Sequence, residues 1–261
     1  MNLEIDKGLI TQLRDILKQG WIENTRHGNC GSVGNILEDI LGVSENNLPI
    51  PDLNEWELKS KRESSSSLVT LFHSEPFPRK YKFVSNILLP KYGWRHKLAG
   101  INYPANEMSF RQTINGNRRS DRGFTVVIDR SSQKILISFD RNYVDPRHSE
   151  WLKHVEMNVG LGELNPQPYW EFSNIYSSIN RKLKNCCLAV ADTKVESGKE
   201  FFKYTEFKLF TGFSYENFLK GLEEGYIYID FDARTGHNHG TKFRIQKNKL
   251  MTLYANCIDL V

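Results

Sequence analysis

From Leu3 to Leu17 the apolar residues Leu3, Leu9, Ile10, Leu13, Ile16 and Leu17 recur at helical intervals, which predicts an amphipathic helix over residues 3–19 closed by Gly20. The period returns in "GNILEDIL", residues 34–41, with Ile36, Leu37, Ile40 and Leu41 inward and Gly42 as the stop. This second helix carries Glu38 and Asp39. After a polar turn the period changes to two: in "EWELKS" Glu55, Glu57 and Lys59 share one face of a predicted strand, and Trp56 and Leu58 the other. Further strands are predicted in "SLVTLFHS", "CCLAVADTKV", "FFKYTEFKLF", "YIYIDFDAR" and "GTKFRIQK", and "FTVVIDRSSQKILISFD" reads as a hairpin turning at Ser131 and Ser132. "YWEFSNIYSSINRKLK" and "YENFLKGLEEG" have helical spacing, the second ending at Gly225. Pro and Gly gather around residues 74–94 and 160–168, where loops or seams are expected. The pattern is α/β, opening with helices and carrying no internal repeat.

Length allows one sizeable core, so a single domain over residues 1–261 is expected. Lys and Arg number 35 against 31 Asp and Glu, and a net charge of +4 does not by itself demand a polyanionic partner. Only the distribution of charge can do that. Cys30, Cys186, Cys187 and Cys257 have no CxxC spacing, which argues against a disulfide framework or zinc site and for reduced packing residues. The opening residues lack an apolar signal region, and no apolar run approaches the roughly 18 residues of a membrane span, so the expectation is a cytoplasmic protein without membrane contact.

Candidate chemistry lies in "PDLNEWELK", residues 51–59. Hydrolysing a phosphodiester near neutral pH requires a divalent ion to polarise the phosphoryl oxygen and activate water, and a cation to offset the charge that develops. Hard oxygen ligands suit magnesium. On a strand, Glu57 and Lys59 project together, Asp52 enters from the preceding turn, and Glu38 on the neighbouring helix could complete the shell or steer the water. Equally, acid and lysine alternating on a strand form ordinary surface pairs worth little, and Glu55 shares the face of Glu57. Spacing leaves these alternatives open.

The literal "PD" followed by "ELK" resembles the signature of PD-(D/E)xK nucleases, and "GSVGNILEDILGVSENNLPIPDLNEWELKSKR" resembles the MutH and MvaI/BcnI-type restriction endonucleases. The likeness continues through "SLVTLFHSEP", "RQTINGNRRSDRG", "YWEFSNIYSSINRKLK" and "HNHGTKFRI". It implies a MutH-like mixed sheet flanked by helices, with a catalytic lobe over about 1–75 and parts of 105–210, a recognition lobe over about 76–104 and 211–261, and a DNA cleft. It matches Asp52 and Glu57 to the metal-binding carboxylates, joined by the main-chain carbonyl of Leu58, Lys59 to the catalytic lysine and Glu38 to the helix-borne acid; Glu55 becomes a bystander. The implied activity is that of a type II restriction endonuclease: a monomer that nicks each strand in turn at a short site of the CC-N-GG kind, leaving 5′-phosphates, beside a host methyltransferase. A MutH-like repair nickase and a non-catalytic DNA-binding module are the alternatives.

Basic and aromatic residues interleave over residues 79–97, a pattern that fits a solvated surface as well as DNA. For "RQTINGNRRSDR", the resemblance favours DNA contacts by Arg111, Asn117, Arg118, Arg119 and Arg122. In "DARTGHNHGTKFR", zinc lacks further spaced ligands near His237 and His239, and a histidine-based nuclease would make the acid–lysine set redundant. The resemblance places this segment in the DNA-reading part, which implies base or phosphate contacts by His237, His239, Lys242 and Arg244, with Arg234 a further candidate for a guanine; a structural role as strand-end charges is the alternative. His73 is either a satisfied structural histidine or a sensor of the central base pair.

Overall fold

The computed structural model describes residues 7–26, 31–43 and 55–261. Asp52 and the first six residues lie outside that range. The chain begins with α1 (Lys7–Lys18), β1 (Ile22–Glu23), α2 (Ser32–Leu41), β2 (Trp56–Arg62), β3 (Val69–His73), α3 (Leu89–Tyr92) and β4 (Trp94–Arg95). There follow β5 (Met108–Ile114), β6 (Arg122–Asp129), β7 (Lys134–Val144), α4 (Ser149–Val159), β8 (Tyr169–Glu171) and α5 (Phe172–Lys182). Last come β9 (Asn185–Glu196), β10 (Lys199–Phe213), α6 (Tyr215–Glu224), β11 (Ile227–Arg234), β12 (His237–Asn238), β13 (Lys242–Ile245) and β14 (Tyr254–Leu260). Among the described residues no helix is long and apolar enough to cross a membrane.

Two compact units make up the chain, and the first comprises residues 1–69, 178–214 and 250–261. Its sheet has the order β1-β10-β9-β2, with β14 also paired to β10. β2 runs parallel to β9, with Glu57 opposite Cys186, while β10 is antiparallel to β9, β1 and β14. Residues 186–191 of β9 are buried without alternation because this strand lies between β2 and β10 and is covered on both faces. Leu9, Leu13 and Ile16 of α1 and Val33, Ile36 and Leu37 of α2 join Trp56, Leu58, Ala189, Phe202 and Phe207 in one core. Each large apolar side chain there contributes roughly 1.5–3 kcal/mol. Helix α2 stops at Gly42, whose positive φ of 69° lets its N–H reach the carbonyl of Asp39. At Gly34 a Cβ would stand 2.8 Å from Ser60 Oγ, so the absence of a side chain sets how closely α2 lies on β2.

The second unit comprises residues 70–177 and 215–249. Its larger sheet has the order β3-β13-β11-β5-β4 with β12 on β11, and β6-β7-β8 form a smaller one. Aromatic edges fill its interior: Phe110 meets Phe124 and Phe231, Phe139 meets Trp151, and Trp170 meets Phe243. The expected hairpin turns at residues 130–133, where Asp129 accepts hydrogen bonds from both the backbone and the hydroxyls of Ser131 and Ser132.

Two expectations change. Tyr169, Trp170 and Glu171, expected to open a helix, instead pair with β7, and α5 starts at Phe172. Trp170 is fully buried and donates its indole N–H to the Ser74 carbonyl at 3.0 Å, so packing overrides helical spacing here. Within the expected loop at 74–94, residues 84–92 are helical and bury Val84, Ile87, Leu88 and Tyr92.

Candidate functional site

In the first unit, Trp56 and Leu58 are committed to the core, so alternation turns Glu57 and Lys59 to the opposite face of β2. Lys59 Nζ lies 2.5 Å from Glu57 Oε1, with the two side chains only 14% and 4% exposed. Such a pair is unlike the solvated surface pair that was its alternative. Lys182, in the last turn of α5, brings a second ammonium to 4.0 Å from the same Oε1. Glu55 is exposed and 3.9 Å from Lys184, away from the buried carboxylate. Cys186 stands opposite Glu57 on β9, and the buried Tyr254 phenol at the start of β14 lies close enough to both to feel their charge. Burial above all, with Cys186 and the Glu57 carboxylate adding to it, holds that phenol well above its ordinary range.

Glu38 is half-buried on α2, one turn after Gly34 and therefore on the same side of the helix. Its charge and that of Asp39 reach Tyr204, whose phenol is raised first by burial and whose hydroxyl donates to the Val33 carbonyl at 2.7 Å. Asp52 lies outside the described residues, and among those described no three acidic, histidine or cysteine side chains form a metal cluster. The donors that fit a hard divalent ion are the Glu57 carboxylate and the Leu58 carbonyl, with Asp52 next along the chain.

The second unit displays a polar sheet face. On β11, Ile227, Ile229, Phe231 and Ala233 are buried, and Tyr228, Asp230, Asp232 and Arg234 alternate with them. Arg111 on β5 stands opposite Asp232 and donates to its Oδ1 at 2.6 Å, while Thr113 and Arg244 donate to Asp230 at 2.7 and 3.0 Å. Burial works against the charge of Asp232, but Arg111, with His239 and Lys242, lowers its pKa overall. Arg234 is held by Glu107 at 3.1 Å and by the Tyr103 ring at 4.8 Å. His237 and His239 are exposed on the β11–β12 hairpin, their ring centroids 4.3 Å apart and nearly perpendicular. His73 is exposed at the end of β3, and its Cδ2 lies 3.4 Å from where a Cβ on Gly240 would sit.

The β5–β6 loop separates residues that spacing treated alike. Asn115 Oδ1 accepts the backbone N–H groups of Asn117 and Arg118 and turns both side chains outward. Arg119 is spent internally, donating to the Gly123 carbonyl at 2.9 Å and to Ser138 Oγ at 3.2 Å. Arg122 lies against the rings of Trp94 and Trp151. Lys182 and the acids Asp230 and Asp232 escaped sequence reasoning. The cation-rich "NRKLK" and the alternation in "YIYIDFDAR" held the signal, but a helix end says nothing about a distant strand, and acids among basic residues read as mere solvation.

A mixed sheet whose parallel strand pair carries a buried acid–lysine couple, joined to a unit with a polar sheet face, has the architecture of restriction-endonuclease-like enzymes. The solved structure "Restriction endonuclease MvaI-cognate DNA substrate complex" is similar, with 26% identity, 100% of both chains covered and a TM-score of 0.79. "Restriction endonuclease MvaI in the absence of DNA" is similar at 25% identity, again with 100% of both chains covered, and a TM-score of 0.53. No curated protein matches the chain. The sequence pattern of the MvaI/BcnI restriction endonuclease family matches residues 10–254, and the chain belongs to that family. It is a type II site-specific deoxyribonuclease acting on double-stranded DNA.

Proposed function

We propose that this endonuclease is magnesium-dependent, with the ion held by Asp52, Glu57 and the Leu58 carbonyl, and that it leaves 5′-phosphate and 3′-hydroxyl ends. The observation that carries this reading is the buried Glu57–Lys59 pair with Lys182 beside it. A divalent ion, when bound, polarises the phosphoryl oxygen and lowers the pKa of the attacking water. Lys59 orients that water and offsets charge growing on the phosphoryl oxygens, and Lys182 adds a second positive charge. Glu38 steers the water from α2. Water adds to phosphorus as the bond to the 3′-oxygen breaks, and the departing oxygen takes up a proton.

The second unit reads the target. Its arginines suit guanine O6 and N7, its aspartates suit the cytosine amino group, and the interleaving of the two on β5 and β11 fits a G·C-rich site. His73, Arg111, Asn117, Arg118, Arg122, Arg234, His237, His239, Lys242 and Arg244 supply base and phosphate contacts, whereas Arg119, expected to join them, is tied to the Gly123 carbonyl and Ser138. The family resemblance favours a CC-N-GG type of target, sequential nicking by a cytoplasmic monomer, and a cognate methyltransferase that shields the host.

The test is to incubate the protein with a sequenced plasmid and magnesium, then read the ends by run-off sequencing, beside a Lys59→Ala control. Discrete double-strand fragments from the wild type alone support the reading. Single-strand nicks that appear only with repair partners would favour the nickase, and tight binding without cutting a binding module.

A further inference from the structure

Arg122 opens β6 in an environment that its neighbours in the loop do not share. Its guanidinium carbon is 3.9 Å from the centre of the Trp94 ring and 5.5 Å from that of Trp151, with the side chain 14% exposed. Nε is buried and has no hydrogen-bond partner among the described residues. The nearest carboxylate, Asp121, is 3.7 Å from NH1 and is also engaged by His148 Nε2 at 2.7 Å. Burial lowers the pKa of Arg122, Asp121 raises it and Arg147 lowers it further, yet a guanidinium stays charged. Two indoles therefore hold a permanent cation whose one carboxylate partner, 3.7 Å away, is shared with His148.

This cation lines a cavity of about 500 Å³ together with Arg111, Arg118, Arg119, Ser120 and Tyr228. Among the lining residues Asp121 is the only acid, against four arginines. Arg118 is exposed at the rim, and its guanidinium makes no hydrogen bond among the described residues. Arg111 is paired with Asp232 at 2.6 Å, so three guanidiniums, that of Arg119 tied to the Gly123 carbonyl and Ser138, face the single acid Asp121; this excess of positive charge suits an anion rather than a base edge, which alternates donors and acceptors.

We propose that this cavity is a phosphate socket that takes one backbone phosphate of the DNA, gripped by Arg118 from the rim and by Arg122 from the wall. The inference rests on the reading that the second unit contacts the DNA. Because the indoles already fix Arg122, little side-chain freedom is lost when the phosphate arrives.

The test uses the cleavage site found with the plasmid. Each phosphate of a short duplex containing it is replaced in turn by a neutral methylphosphonate, and affinity is measured without magnesium for the wild type, Arg118→Gln and Arg122→Gln. Expected is one position whose neutralisation weakens the wild type about tenfold, as for loss of a charge-assisted bond, and adds almost nothing in Arg118→Gln or Arg122→Gln. If Arg122→Gln does not fold, Arg118→Gln decides alone, since its side chain supports no internal contact. Additive losses at every position would overturn the socket while leaving the nuclease intact. So would a tryptophan fluorescence response to inorganic phosphate with no coupled position in the duplex, which would mark a site for a free anion. Failure of the wild type to bind any duplex would overturn the reading beneath it as well.

Discussion

Replacing Lys59 by Met keeps its length and removes its charge, leaving the Glu57 carboxylate 4% exposed with Lys182 4.0 Å away. Removing one partner of a buried pair costs about 3–5 kcal/mol, because the remaining charge stays desolvated. Two features reduce that figure: Lys59 itself is 14% exposed, and Lys182 still offers a gross attraction of roughly 4 kcal/mol at an effective dielectric of 20. We expect Lys59→Met to destabilise the protein by about 2–3 kcal/mol, a fall in Tm of roughly 4–10 °C for a chain of this size. Glu57→Gln should cost less, because the freed ammonium can turn towards water. The double variant, with an uncharged pair of similar volume, should return close to wild type, so the coupling in the cycle approaches the sum of the two single losses, about 3 kcal/mol or more. Urea denaturation followed by tryptophan fluorescence, with thermal melts alongside, measures all four proteins. Both single variants should lose cleavage but keep DNA affinity. Additivity within about 0.5 kcal/mol would refute the buried pair as an energetic unit. A parallel loss of DNA affinity would refute its catalytic assignment.

Gly34→Ala should destabilise by about 1 kcal/mol after its gain in helix propensity, and Ser60→Ala should restore the loss by removing the Oγ that the new methyl meets at 2.8 Å; thermal melts of the two variants and their combination test this. Arg119→Ala should lower stability by about 2 kcal/mol through loss of two hydrogen bonds, whereas Arg118→Ala should leave stability unchanged and reduce the salt slope of DNA binding by about 0.9. Denaturation midpoints and affinity against salt concentration separate these roles. Cys257 is exposed, but partial burial first, and the Asp259 charge and hydrogen bond next, push its thiol up to about 11. A raised thiol pKa means less thiolate at a given pH: roughly one in a thousand at pH 8, against about a quarter for an ordinary thiol. Iodoacetamide labelling attributed to it by comparison with Cys257→Ser should be slow at pH 8 and rise about tenfold per pH unit to near 11.

Local patterning along the chain determined most of the elements. The period in residues 34–41 and the glycine after it led to α2 and its left-handed stop, and alternation in "EWELKS" put Glu57 and Lys59 opposite the core-facing Trp56 and Leu58. These features were legible because both periods are properties of the backbone, and the face that must be buried shows itself in residue type. Tertiary structure alone decided the partners. Trp170 became a strand residue because a neighbouring strand and the Ser74 carbonyl were there to receive it. Lys182 meets Glu57 because β9 pairs parallel to β2, a pairing that no local period encodes across more than a hundred intervening residues. "NRRSDR" reads as one basic run, yet packing turns Arg118 outward, ties Arg119 to the backbone and sets Arg122 between two indoles. Charge is a property of the residue, but its availability to a ligand depends on desolvation and on neighbours that only the folded chain assembles.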